Sequence, residues 1–289
     1  MIYMSNKIPT KVMLFITLLL FAEACSPKVL INNVSDQSYP KTEDYQPFAI
    51  LEESIDKTEV VDYIGTVQIK EKGLSINCDY VTVLGIAEKR AREMGGNCLV
   101  ITEHKEPNFQ STCHRISCDV LRIRVPEKYE KEILWHPKRP LTIADFKGSI
   151  DKRPFQATTY SGMVYYASRN PLNGKVTLNV KSVFDCQLSY FKRSDINDYI
   201  LKHEQLHFDI TEIYTRKFRK EIIDAKMSYK EFNTVHQDMF ASILKELSLK
   251  QDEYDTEVYA DRSLQSKWNK WVAINLAELE DYSDISINF

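Results

Sequence analysis

The sequence predicts two α+β domains in series, a small one over residues 48–126 and a larger one over 127–289. Three observations carry this reading. A cysteine-bearing block from Val60 to Val125 alternates β-rich, helical and β-rich segments. The stretch Pro126 to Pro140 then interrupts the chain with charge and three prolines, the composition of a domain boundary. Beyond it, β-rich segments give way to long helical runs over 195–226, 229–249 and 263–280, none of which contains Gly or Pro. A chain of 289 residues has length enough for two cores. Its 43% hydrophobic and 27% charged residues belong to a globular protein. The net charge of −3 makes no case for nucleic acid as a partner.

In chain order, residues 1–24 read as a signal peptide. Lys7 and Lys11 form a positive start, and Val12 to Ala22 form an apolar stretch too short to span a bilayer comfortably. The stretch ends at Ala22-Glu23-Ala24-Cys25, with small residues flanking a cysteine as in a lipobox. Cys25 is then lipidated and anchors an exported protein to a membrane of the cell envelope. The competing reading is ordinary cleavage after Ala24, which leaves a free thiol in an oxidising compartment. Residues 25–47 are polar and without periodicity, and read as a tether behind the lipid.

The first domain opens with a strand over Val60 to Ile69, in which Gly65 marks a bend or bulge. Val81, Leu84, Ile86, Ala87, Ala91 and Met94 follow a helical period that Gly95-Gly96-Asn97 stops. Cys98 to Thr102 and Asp119 to Val125 are further strands. Cys78, Cys98, Cys113 and Cys118 in one exported domain suggest two disulfides, and three pairings are open. A zinc site using His104 and His114 is disfavoured because no close CxxC pair exists. The run from Ala87 to Ile101, followed by Cys113-His-Arg-Ile-Ser-Cys118, resembles small disulfide-stapled envelope lipoproteins of the Rcs stress-sensor type over about sixty residues. That resemblance implies the fold.

The second domain begins with strands over Gln156 to Gly162, Met163 to Ala167 and Val176 to Phe184. Asn170-Pro171 and Asn173-Gly174 punctuate the last two. In the helical half, Ser228 and Glu231 make a capping box for the middle helix. Trp268 and Trp271 are expected to pack in the core, Cys186 to be a buried free thiol, and the basic run Arg216 to Lys220 to be a solvated helix face.

The chemistry is concentrated in Leu201-Lys-His-Glu-Gln-Leu-His-Phe-Asp-Ile-Thr-Glu212. His203 and His207 are one helical turn apart, about 40° from each other around the axis. Both imidazoles can therefore grip one metal ion without backbone strain, and Glu204 flanks that face within reach of a water. The same face carries Ile196, Ile200, Ile210 and Tyr214, so the histidines lie in an apolar stripe. A lone histidine there would be core packing; two at metal spacing around a Glu are not explained by packing. Glu212 lies about 140° from His207 and cannot join the same ion on a regular helix.

His203-Glu-Gln-Leu-His-Phe-Asp-Ile-Thr-Glu212, with Arg216 and Arg219, resembles the HEQ-x-HFDI-x-E signature of an uncharacterised family of predicted bacterial secreted zinc-dependent proteases. Leu141-Thr-Ile-Ala-Asp-Phe-Lys-Gly148 is similar to that family's L-x-x-x-DF-x-G opening, and Ala157 to Gly162 to its A-T-x-S-G strand. The likeness covers most of residues 132–280. It implies a zincin-like α+β fold with the motif on a long helix, a Zn2+ cofactor and a protein or peptide substrate, with Glu204 as general base.

Catalytic zinc takes three protein ligands and a water, and no metzincin-type Gly and His follow His207. The resemblance implies a histidine after a Tyr-Asp-x-x-Thr-x segment; Tyr254-Asp-Thr-Glu-Val-Tyr-Ala-Asp261 aligns with it, with Val258 at the Thr position, and puts Ala260 in the histidine's place. A carboxylate is then expected to substitute, either Glu257 or, preferred, Asp261. Tyr254 or Tyr259 is the expected hydrogen-bond donor to the oxyanion. The strand Met163 to Ala167 is expected to offer an edge to an extended peptide. A contrasting reading, motivated by Ala260, is a peptidase-like lipoprotein that binds a partner or senses envelope damage without cutting.

Overall fold

The computed structural model describes residues 27–71, 78–109, 111–169, 175–192 and 198–289. The expected signal peptide and Cys25 lie outside the described residues, as do Ile196, Asn170-Pro171 and Asn173-Gly174. The fold is mixed α+β, and the chain divides into two units. One comprises residues up to 44 and 49–124; the other comprises 45–48 and 125–289. No helix among the described residues is long and apolar enough to cross a membrane.

The first unit is a five-stranded sheet with one helix on it. The strands are β1 (Lys28–Asn33), β2 (Ala49–Leu51), β3 (Val60–Lys70), β4 (Cys98–Lys105) and β5 (Arg115–Ile123), in the order β1-β3-β5-β4-β2. All neighbours are antiparallel except β2 and β4. Helix α1 (Tyr80–Glu93) is capped by Asp79, whose carboxylate accepts from the Thr82 amide at 3.0 Å. It buries Val83, Ala87 and Ala91, one residue per turn. Gly95 ends it at φ 84°, where a Cβ would come within 2.5 Å of Tyr39. Gly65 sits at a register shift in β3, where a Cβ would meet the Asn32 carbonyl oxygen.

Two expectations change here. Residues 28–33 are not tether but an edge strand, because Val29, Leu30 and Ile31 sit in a ladder with Ile69, Gln68 and Val67. Nor do the four cysteines form two bridges. Cys78 joins Cys113, whereas Cys98 and Cys118 are buried free thiols. The ladder gives the reason. Cys98 pairs with Leu121 and Cys118 with Ile101, so the two lie three residues apart along adjacent strands and face opposite sides of the sheet. Burial pushes both thiols up to about 12 and leaves them inert.

The bridge closes a segment with a sequence separation of 35. A loop of that length is worth roughly 4 kcal/mol in the chain-entropy account. Cys78→Ser with Cys113→Ser should therefore speed hydrogen exchange of the β4 and β5 amides. Tryptophan fluorescence should hold steady, since Trp135, Trp268 and Trp271 all belong to the other unit. Unchanged exchange would show the bridge to be idle.

The second unit is built on β9 (Val176–Asp185), whose Val176, Leu178 and Val180 alternate inward. β8 (Ser161–Arg169) runs antiparallel to it over its whole length. On the other side of β9, β11 (Ser286–Asn288) pairs near one end and β6 (Glu132–Leu134) near the other. Among the described strands β8 thus has one neighbour and is an edge. β7 (Ala157–Thr158) and β10 (Tyr190–Phe191) form a separate short pair. Helix α2 (Asp198–Asp224) packs on this sheet through Leu206, Ile210, Ile213 and Phe218. Helix α3 (Tyr229–Ala260) packs along α2; the expected Ser228–Glu231 capping box opens it. Helix α4 (Gln265–Glu278) adds Trp268 and Val272 to the same core.

The two arginines of the basic run of α2 are not solvated, whereas Lys220 keeps its side chain 44% exposed. The side chains of Arg216 and Arg219 are only 4% and 1% exposed. Both guanidinium groups bind Glu212, Arg216 at 3.0 Å and Arg219 at 3.4 Å. Arg216 also reaches the Leu276 carbonyl at 2.9 Å and Glu280 at 2.7 Å, and Arg219 the carbonyls of Val180, Tyr282 and Ser283. Desolvated guanidinium groups persist in a core when their N–H bonds are filled this way. Glu212 is accounted for by these two partners.

Candidate metal centre

His203 and His207 project from the first half of α2, both largely buried, with ring centroids 4.8 Å apart. Their Nε2 atoms lie 3.2 Å from each other. Asp255 of α3 completes a triangle: its Oδ1 is 3.2 Å from His203 Nε2 and 3.0 Å from His207 Nε2. Ligand atoms about 2.0 Å from a tetrahedral ion lie roughly 3.3 Å apart, so the three spacings suit one such ion. Among the described residues this is the group of three that could hold a metal.

Asp255 takes the place expected for Asp261. The latter follows the last residue of α3, and its carboxylate caps the next turn by accepting from the Ser263 amide at 2.9 Å. Six residues along a helix also turn it about 120° away from Asp255. Glu257 is engaged with Lys267 and with the Trp268 indole. Burial raises the Asp255 carboxyl, but hydrogen bonds from both histidines outweigh this and hold it well below the usual carboxylate range. Burial opposes protonation of His207, and Asp255, Glu204 and Gln251 together more than offset it.

Glu204, 4% exposed, stands beside the triangle. Burial raises its pKa, with His207 and His203 pulling the other way. Its Oε2 is buried and has no hydrogen-bond partner, a costly arrangement unless something else occupies the space before it. The Thr159 hydroxyl fixes the backbone here by donating to the Glu204 carbonyl at 3.0 Å. A cleft of about 290 Å³ opens onto Glu204, His207 and Asp255, walled by Phe155, Ser161 and Tyr259.

No family model, curated protein or solved structure matches the chain.

The two tyrosines separate. Tyr254 is fully buried, stacks on the His203 ring at 4.7 Å, and gives its hydroxyl to Gln265 at 2.9 Å. It is packed against His203 with its hydroxyl engaged, away from the cleft lining. Tyr259 is 65% exposed at the cleft wall, with its ring 5.6 Å from that of His203. Partial desolvation and the carboxylates of Asp255 and Glu204 push its hydroxyl up to about 12, so it keeps its proton. The rest of the motif anchors the helix. Gln205 accepts from the Leu141 amide at 2.7 Å and donates to Asp209 at 2.8 Å, and Asp209 accepts from the Trp135 indole at 2.8 Å.

Asp255 is hidden in the sequence because the charged, polar run Lys250-Gln-Asp-Glu-Tyr-Asp-Thr-Glu257 resembles a loop after a helix ending at 249. One signal was present. Gln251 and Asp255 are four apart, as are Tyr254 and Val258, so a continuing helix would put two polar groups beside an apolar stripe.

Proposed function

We propose that the chain is a zinc-dependent peptidase of the cell envelope, exported and held to a membrane through lipid on Cys25. Its second unit is read as a zincin-like domain acting on proteins or peptides. The observation that carries the reading is the convergence of His203, His207 and Asp255 beside an orphaned, buried Glu204 carboxylate oxygen. Two imidazoles and a carboxylate are a zinc donor set, and the 3.0–3.2 Å spacings fit it. Zinc bound there supplies Lewis acidity, acidifying water and polarising a carbonyl oxygen.

The chain's own residues do the remaining work. Glu204 takes a proton from water at Oε2, holds it in a desolvated pocket, and passes it to the amine nitrogen as the C–N bond breaks. Tyr259 donates its hydroxyl hydrogen bond to the carbonyl oxygen as that oxygen gains charge. The free edge of β8 suits an extended substrate backbone. Ala260, which favoured a non-cutting binder or sensor, weighs less once Asp255 supplies a carboxylate.

Metal content of the full chain, measured by mass spectrometry after zinc loading and desalting, tests the centre. Near-stoichiometric zinc is expected in the native chain and in Asp261→Ala, with loss in His207→Ala and Asp255→Ala. A native chain without zinc would overturn the reading. Zinc retained by Asp255→Ala would remove that residue from the ligand set.

A further inference from the structure

We propose that Gln251 is a positioning residue, whose side-chain amide presents His207 to the metal with Nδ1 protonated and Nε2 free to coordinate. The inference rests on the metal-centre reading. Gln251 lies one turn before Asp255 on α3, so one helix face delivers both a ligand and a brace for another ligand.

The hydrogen bonds fix the direction of the amide. Gln251 Nε2 donates to the His207 carbonyl at 2.9 Å and reaches Thr211 Oγ1 at 3.3 Å. Both are acceptors for it. Thr211 spends its own proton on the same His207 carbonyl at 3.0 Å, so Ser161 Oγ, 2.7 Å away, donates to Thr211. The chain Ser161–Thr211–Gln251 thereby leaves Gln251 Oε1 facing His207 Nδ1, with which it is in contact. An amide oxygen only accepts, so the facing nitrogen carries hydrogen. When a metal binds, the hydrogen that Nε2 gives to Asp255 is the one released, and with Nδ1 keeping its own the lone pair lies on Nε2, the atom that faces His203 and Asp255. Ser161 begins β8, so this chain ties the edge strand to a metal ligand.

The test is the zinc dissociation constant of the full chain, measured by competition with a chromophoric chelator. Gln251→Leu, which keeps the bulk and loses the acceptor, should weaken zinc roughly 10–100-fold. Gln251→Glu, which keeps the acceptor, should recover most of that loss. In the zinc-loaded native chain the His207 Nδ1 proton should exchange slowly with solvent in a proton NMR spectrum. Native affinity in Gln251→Leu, beside a native chain that binds zinc, overturns this inference alone. A native chain that binds no zinc overturns the metal centre with it. Should the leucine variant fail to fold, a rapidly exchanging Nδ1 proton in the native chain is sufficient to overturn the assignment.

Discussion

Glu204→Gln should lower kcat/KM against an unfolded protein substrate by roughly 10²–10⁴-fold while zinc stays bound. That range corresponds to about 2.7–5.4 kcal/mol of lost transition-state stabilisation. Glutamine fills the same volume at a position only 4% exposed, so the core around α2 is undisturbed. What it removes is the ability to take and return a proton. The three ligand atoms are contributed by other residues, so metal content should not move. Turnover of zinc-loaded enzyme and metal content, measured on the same preparation, decide the matter. Undiminished hydrolysis with full zinc would strip Glu204 of its role. Zinc bound without hydrolysis in the native chain would favour the binding or sensing reading.

Arg219→Ala should destabilise the second unit by about 3–5 kcal/mol, the cost of removing one partner from a buried ion pair. Arg219 binds Glu212 and spans three backbone carbonyls, at Val180 in β9 and at Tyr282 and Ser283 near the C-terminal end. Alanine leaves these acceptors desolvated, and Glu212 keeps one guanidinium where it had two. Urea unfolding read by tryptophan fluorescence reports on this unit, because all three tryptophans lie in it. A loss below about 1 kcal/mol would place the arginine with ordinary surface ion pairs.

The contrast between these two residues shows what the sequence reveals. The clustering of His203, Glu204 and His207 is legible because it depends on spacing along a single helix, and spacing is written in the chain. The mixed α+β character, the strand over Val176 to Phe184 and the Ser228 cap are legible for the same reason: each is a local pattern. Arg216 and Arg219 are not, since charge alone does not say whether a helix face meets water or a Glu and several carbonyls. Asp255 is the clearest case. Its partners lie far back along the chain, and only the packing of α3 on α2 brings them together. The cysteines fail similarly, because strand register decides which of them share a face. That register places Cys98 and Cys118 on opposite sides of the sheet.

His207 and Asp255 are 48 positions apart, on different helices. Closing such a distance carries a chain-entropy cost that the packing of two helices must first meet. A nascent chain therefore has the two histidines but lacks the third corner of the triangle. On the peptidase reading, competence to cut arrives late, when α3 docks, and maturation itself times the onset of hydrolysis.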